Sequence, residues 1–423
     1  MNSTGSSSPQ GTGRFRAAGF VLGFAAVGLT LAYSAFAQQT GGAPTPPPTS
    51  RPTTQPGKFA PPGTPLTETK PLPAFWKSSL DDIDQCLTQA HKGKVELLCR
   101  SAGGRKLYVV SYGPPRNLDS QANYNSACGG GNPAWYVHKP AGTPPTVLLL
   151  GPVHGQEVEG IAGLMNLLHL VETGADLRGK SYPKLMESFL RCRVLIVPSG
   201  NPDGRSRVPL NGFIGESIDT NSYYGMGTNA AGKLWQWPQV KGHQPLTDVG
   251  YLGGYFNDAG VNLMHDDWFG RMTSETQAIL DLAKREAIDY GVSLHSHGAN
   301  PQFMQTDYMD PGCQEKAIVI SERLSQRFAA VNERVNPIRR EAPAAPAPAN
   351  NNRPRRHRPE APAAFNLCSA LHHVSGGTIV LYENSCGVTG YHQTTYDQIL
   401  DLQMVLFEEL LGYAADNPVV WER

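Results

Sequence analysis

Val147-Leu148-Leu149-Leu150-Gly151-Pro152-Val153-His154-Gly155-Gln156-Glu157 is the stretch from which the rest of this chain is read. Its continuous apolar run suits a strand buried on both faces. The Gly-Pro that follows is turn punctuation. From 157 to 172 the apolar residues recur at helical spacing, and Gly174 stops them. A buried strand turning directly into a helix is a building unit of α/β sheets, where ligands bind beyond the carboxyl ends of the strands. His154 and Glu157 stand at such an end. Three residues apart on a helical turn, they share one face and reach one ion, and Gly155 leaves room beside them.

The H-x-x-E spacing alone is weak. Three matches occur, His154/Glu157, His169/Glu172 and His357/Glu360, where chance gives about one His-x-x-acid, Asp or Glu, for this composition. Position separates them. His169 and Glu172 lie at the far end of a helix. His357 and Glu360 fall in a Pro/Arg-rich stretch with no periodicity. Only the first pair follows a buried strand.

Further strand-like runs occupy 106–112, 194–197, 292–294 and 378–382, and helical patterns occupy 273–288 and 397–413. Their alternation predicts an α/β fold, a single domain built on a mostly parallel or mixed sheet flanked by helices. Two of these strands also end in chemistry. Leu294-His295-Ser296-His297 supplies one histidine ligand, and His295, directly after the apolar residues, is the better placed. Tyr382-Glu383-Asn384 puts a carboxylate at the mouth of a buried strand, a costly position unless the group is paired or functional. Glu383 is either a general base or the partner of an arginine.

Together His154, Glu157 and His295 match the three-ligand set of catalytic zinc, which keeps a fourth position for water. A carboxylate such as Glu383 then takes the proton of that water and passes it to a leaving group. Asn201-Pro202-Asp203-Gly204 is a turn, and Arg205 and Arg207 beyond it are candidates to bind an anionic substrate group bidentately. His372-His373 either lines the site or packs in the core. Between 207 and 260 the chain is rich in Gly, Trp and Tyr, including Tyr223, Tyr251 and Tyr255, material for a substrate rim.

Lys+Arg and Asp+Glu are equal at 36 each in 423 residues, which gives no indication of nucleic-acid binding or a polyanionic partner. Arg14 and Arg16 precede an apolar small-residue stretch, and Ala35-Phe36-Ala37 forms an A-x-A cleavage site, so 1–37 reads as an export signal. The alternative is an uncleaved anchor, for which the run is short. Residues 38–73 form a Pro/Thr/Gly tether unable to bury a core, leaving 74–423 as the catalytic domain. Within it, 337–364 holds seven prolines and six arginines and reads as a disordered, basic insertion. That insertion is either a solvated loop or a contact for acidic cell-wall polymer. Seven cysteines in an exported chain allow disulfides, but the odd number and the lack of C-x-x-C leave connectivity open.

Taken in order, these motifs resemble those of the zinc carboxypeptidase family, the carboxypeptidase A-like metallopeptidases. The similar elements span most of 95–412. They are Ser101-Ala102-Gly103-Gly104-Arg105, His154-Gly155-Gln156-Glu157, Asn201-Pro202-Asp203-Gly204, Gly260-Val261-Asn262-Leu263, Ser274-Glu275-Thr276-Gln277, His295-Ser296 and Tyr382-Glu383. The resemblance implies one zinc ion on His154, Glu157 and His295, Glu383 as the base, and a mixed sheet of roughly eight strands. It also marks departures. Met264 and His265 stand where the family has the Asn and Arg that hold a substrate's terminal carboxylate. Asn262 replaces the Asp that orients a zinc-ligating histidine. No clear counterpart exists for the carbonyl-polarising arginine, a role open to Arg205 or Arg207, while His265 is left as a substrate contact. The expectation is an exported (secreted or periplasmic) zinc metallopeptidase acting on a peptide or peptide-like substrate. Carboxypeptidase action is the family default. The alternatives are an amidase on cell-wall peptide or another acyl-amide, and a non-catalytic binder that retains the fold.

Overall fold

The computed structural model describes residues 71–116, 119–331, 333–338 and 364–422. All of them lie in one compact unit, Thr54–Arg423. The export signal, most of the Pro/Thr tether and residues 339–363 of the Pro/Arg insertion fall outside the described residues. No helix among the described residues is long and apolar enough to cross a membrane.

In chain order the elements are α1 (Leu80–Thr88), β1 (Lys94–Arg100), β2 (Lys106–Tyr112), α2 (Tyr124–Gly129), β3 (Thr146–Leu150), α3 (Glu159–Thr173), α4 (Pro183–Leu190), β4 (Arg193–Val197), α5 (Pro202–Arg207), α6 (Ile218–Met226), β5 (Gly227–Asn229), β6 (Val249–Leu252), α7 (Ser274–Glu286), β7 (Tyr290–His297), β8 (Gln302–Gln305), α8 (Pro311–Ala329), α9 (Leu367–Ser375), β9 (Thr378–Ser385) and α10 (Tyr396–Asp416). Seven strands form one mixed sheet in the order β1-β2-β4-β3-β7-β9-β8, and β5 and β6 make a separate ribbon. The four inner strands, β4-β3-β7-β9, are parallel. The outer pairings are antiparallel. Among the described residues the count is seven, where about eight were expected.

Alternation along the inner strands divides the core between the two faces. Val147, Leu149, Val194, Ile196, Val292 and Leu294 pack with α3, α4, α8 and α10. Leu148, Leu150, Leu195 and Val197 pack with α7 and α9. Because both faces are covered, these strands are largely apolar runs, with most of their polar residues at the ends and Ser293 within β7 an exception.

Local signals set several helix ends. Thr273 caps α7 by accepting the Thr276 N–H, and Thr395 with Gln398 forms a capping box on α10. Gly174 closes α3 at φ 95°, a backbone conformation that favours glycine. Asn201-Pro202-Asp203-Gly204, read from sequence as a turn, is the cap and first turn of α5. Asn201 Oδ1 accepts the Gly204 N–H at 2.8 Å. Buried Asp203 accepts from Ser101 Oγ (2.5 Å), the Gly103 N–H (2.8 Å) and Arg105 (2.9 Å). That network ties the β1–β2 turn to α5.

Candidate metal centre

At the carboxyl end of β3 the chain passes Gly151 and Pro152 and delivers His154 and Glu157 just before α3. α5 lies against this turn so closely that a Cβ on Gly155 would sit 2.1 Å from the Arg205 nitrogen. Only glycine fits there. His295 arrives from β7, the parallel strand directly adjacent to β3.

The three side chains converge. Nδ1 of His154 lies 2.9 Å from Glu157 Oε1, and Nδ1 of His295 lies 2.8 Å from Glu157 Oε2. All three are buried, with their ligand atoms within 4.8 Å of one another. Burial alone would raise the Glu157 carboxyl, but the two imidazoles outweigh it and hold the group down to about 2. For His295, burial opposes the charged form, yet the Glu157 carboxylate prevails and raises its pKa. Burial dominates at His154 and lowers it. An anionic oxygen pair between two Nδ1 atoms, all shielded from water, fits the His/His/Glu donor set of zinc. The outward nitrogens differ in their support. His295 Nε2 is 3.1 Å from Ser293 Oγ. His154 Nε2 has no hydrogen bond of good geometry, with the Asn262 side chain the polar group nearest to bonding it.

Glu383 joins this centre through strand register. β7 and β9 run parallel with His295 opposite Glu383, so the two side chains leave the same face about 4.8 Å apart. Glu383 Oε2 is buried without a hydrogen-bond partner. Burial, only partly offset by His295, pushes this carboxyl up to about 8. A cation held by the three ligands would draw it back down.

His297 shares the His295 face, since positions two apart on a strand point the same way. Its Nε2, however, is engaged 2.9 Å from the Asn300 carbonyl oxygen at the strand's end.

Both arginines proposed from sequence are placed differently. Arg205 is buried and donates to the carbonyls of Ser78 (2.9 Å), Val208 (3.0 Å) and Leu210 (3.0 Å), and to Asn211. Arg207 donates to the Leu252 carbonyl at 3.0 Å and to Gly253, Phe256 and Asp258. These guanidinium groups hold loops together, because buried carbonyl oxygens at chain reversals need donors. His265 is half-buried near His154 and His295. Burial first, then His154, Lys241 and His295, push its imidazole down to about 3, so it is neutral and no cationic anchor. Met264 packs into the core beside α7 and α9. His372 lies at the far end of the sheet, on α9.

One contact was not foreseen. The Tyr255 ring stacks on His154, with centroids 3.9 Å apart and planes inclined by 18°. Glu157 and Glu383 are the charges felt most by its phenol. Arg207 fixes the loop that carries it. The sequence showed Tyr255 only as one of several rim aromatics.

No family model and no curated protein sequence matches this chain. Among solved structures it is similar to a metallo-carboxypeptidase from Burkholderia cenocepacia, at 14% identity and TM-score 0.46, covering 80% of this chain and 70% of that one. It is also similar to carboxypeptidase A from Helicoverpa armigera, at 14% identity and TM-score 0.47, covering 82% and 75%. A third is bovine thrombin-activatable fibrinolysis inhibitor, solved with a tick carboxypeptidase inhibitor, at 11% identity and TM-score 0.47, covering 81% and 99%. Its structural neighbours are metallo-carboxypeptidases. What the site itself can do follows from this chain's own side chains.

Proposed function

We propose that this chain is an exported zinc-dependent hydrolase of a peptide or peptide-like amide bond. The observation that carries the reading is the meeting of two imidazole Nδ1 atoms on the Glu157 carboxylate, with Glu383 in register beside His295. His154, Glu157 and His295 would hold the ion. When bound, zinc supplies Lewis acidity, polarising a carbonyl and making water a stronger acid. Glu383 Oε2 takes the proton of the attacking water and returns it to the amine nitrogen as the C–N bond breaks. Tyr255 forms one wall of the site and keeps His154 in place by stacking. Ser293 orients the His295 imidazole.

Carboxypeptidase-type cleavage is the first reading of substrate. A second is favoured by a specific observation. Arg205 and Arg207 are engaged with carbonyls and Asp258, His265 is neutral and Met264 is in the core, so none of these four positions offers a fork for a terminal carboxylate. An acyl-amide or cell-wall peptide needing no such clamp suits this site. The A-x-A pattern at Ala35-Phe36-Ala37 supports work outside the cytoplasm, and sequencing the mature amino terminus from cell fractions tests that placement.

Metal analysis of the purified protein, followed by Glu383→Gln on paired free-acid and amidated peptides, tests the reading. One zinc equivalent at the centre, wild-type cleavage and an inert but zinc-loaded variant are expected. A chain that binds no metal at His154, Glu157 and His295 sinks the enzyme and leaves a binding protein. Equal cleavage of both peptide forms selects the second substrate reading.

A further inference from the structure

At the amino edge of the sheet, away from Glu383, three donors of different chemistry gather where α8 begins and α9 ends. Asp310 caps α8, its Oδ1 accepting the Cys313 N–H at 3.1 Å. Its Oδ2 lies 3.6 Å from His372 Nε2. His372 Nδ1 is 2.9 Å from the Gly377 carbonyl oxygen, a contact that demands a proton on Nδ1 and leaves Nε2 as a lone pair. That lone pair accepts the Asp310 N–H at 3.3 Å, and the Asp310 carboxylate oxygen lies on the same side of the ring. Cys313 Sγ completes the group, all three ligand atoms lying within 4.8 Å of one another. Cys313 and His372 are buried, while Asp310 opens to solvent.

We infer that Asp310 Oδ2, Cys313 Sγ and His372 Nε2 form a second divalent-metal site, structural in kind and of zinc-like preference, that ties the first turn of α8 to the last turn of α9. Two ligands on a tetrahedral zinc with bonds of about 2.0–2.2 Å are separated by roughly 3.4 Å, close to the 3.6 Å between Oδ2 and Nε2. A ligating histidine whose other nitrogen donates to a backbone carbonyl has the supporting contact such sites use. A further group points the same way. Thr378 Oγ1 is buried without a hydrogen-bond partner of good geometry, and it stands beside the Cys313 sulfur.

The Cys313 S–H donates to the Gly376 carbonyl oxygen at 3.7 Å, so the sulfur enters the site protonated. Binding then forms the sulfur–metal bond as the S–H proton leaves to solvent, one proton per ion. The Thr378 O–H turns to donate to the resulting thiolate, and water takes the fourth position on the Asp310 side. The ion would close a loop of about sixty residues between the two helices, which restricts the unfolded chain. This site is independent of the catalytic reading and contains none of its residues.

The experiment is cobalt(II) reconstitution of the chelator-stripped, reduced full-length protein. A thiolate on cobalt gives a near-ultraviolet charge-transfer band that a His/His/Glu set cannot produce. Two equivalents per chain and such a band are expected. Cys313→Ser and His372→Ala should each abolish the band and one equivalent, while Glu157→Gln removes the other equivalent and leaves the band. Asp310→Asn keeps the helix cap and a folded chain, and should weaken the banded site at least tenfold without altering peptide cleavage. Absence of the band in wild type, or its persistence in folded Cys313→Ser or at full affinity in Asp310→Asn, overturns the proposal. Loss of the unbanded equivalent alone would count against the catalytic centre only.

Discussion

His154 and Glu157 stand before the amino end of α3, and His169 and Glu172 occupy its carboxyl end with the same three-residue spacing. At the first end the strand mouth, α5 and Tyr255 exclude water, and the carboxylate faces two Nδ1 atoms. At the second end Glu172 accepts the backbone N–H groups of His91 (3.1 Å), Lys92 (2.9 Å) and Gly93 (3.3 Å), and the Tyr112 hydroxyl at 2.8 Å. His169 Nδ1 rests 2.9 Å from the Ala175 carbonyl oxygen. One carboxylate is aimed at a cation that it would share with two imidazoles, and the other is satisfied by amides and a phenol. Spacing brings the side chains together, and surroundings decide what they do.

The sharpest way to break this contrast is to neutralise both carboxylates. Glu157→Gln should lose the ion at the catalytic centre and all hydrolysis, read by metal analysis and turnover. Glu172→Gln should keep both. Next in size, Glu383→Gln should lower kcat by about 10²–10⁴ with zinc retained and KM little changed. A variant that lost zinc in step with activity would move Glu383 from base to ligand.

Glu172→Ala is expected to cost about 1–3 kcal/mol of stability for its lost hydrogen bonds, in urea titration at neutral pH. Burial would raise the Glu172 carboxyl, but the amides of Lys92, His91 and Gly93 and the Tyr112 hydroxyl lower it below its ordinary 4.5. The sign follows from linkage. A carboxyl depressed on folding contributes stability above its unfolded value, and that contribution fades as pH falls below about 4.5 through the folded value. Wild type and Glu172→Ala should therefore differ at pH 7 and converge under acid, and a constant gap would show that the carboxylate is not the cause. Smallest of all, His169→Ala should shift stability by about 0.5 kcal/mol or less and leave zinc content untouched.

Much of the fold was legible because its signals are local. The runs at 106–112, 147–150, 194–197 and 378–382 coincide with β2, β3, β4 and most of β9, and the 273–288 pattern contains α7 down to its Thr273 cap. Inner strands between two helical layers must be apolar throughout, so burial is written into them. β1 and β8 were not read. β1 is an edge strand with mixed exposure in Lys94–Arg100, and β8 is a four-residue edge strand. Edge strands lack the burial that makes a pattern. At the site, His154, Glu157, His295 and Glu383 were visible as strand-end polar residues. The fates of Arg205 and Arg207 were not, because a guanidinium binds whichever carbonyl or carboxylate the fold brings near.

By itself the sequence determined where strands turn into helices and which polar side chains sit at those turns, since propensity, capping and hydrophobic period act over a few residues. Tertiary structure decided that Glu157 meets His295 across 138 positions, that His295 and Glu383 stand in register, and that Asp310, Cys313 and His372 share a corner. Those meetings depend on strand pairing and helix docking, in which free energy is gathered from many distant contacts and no short stretch carries the distance between two side chains.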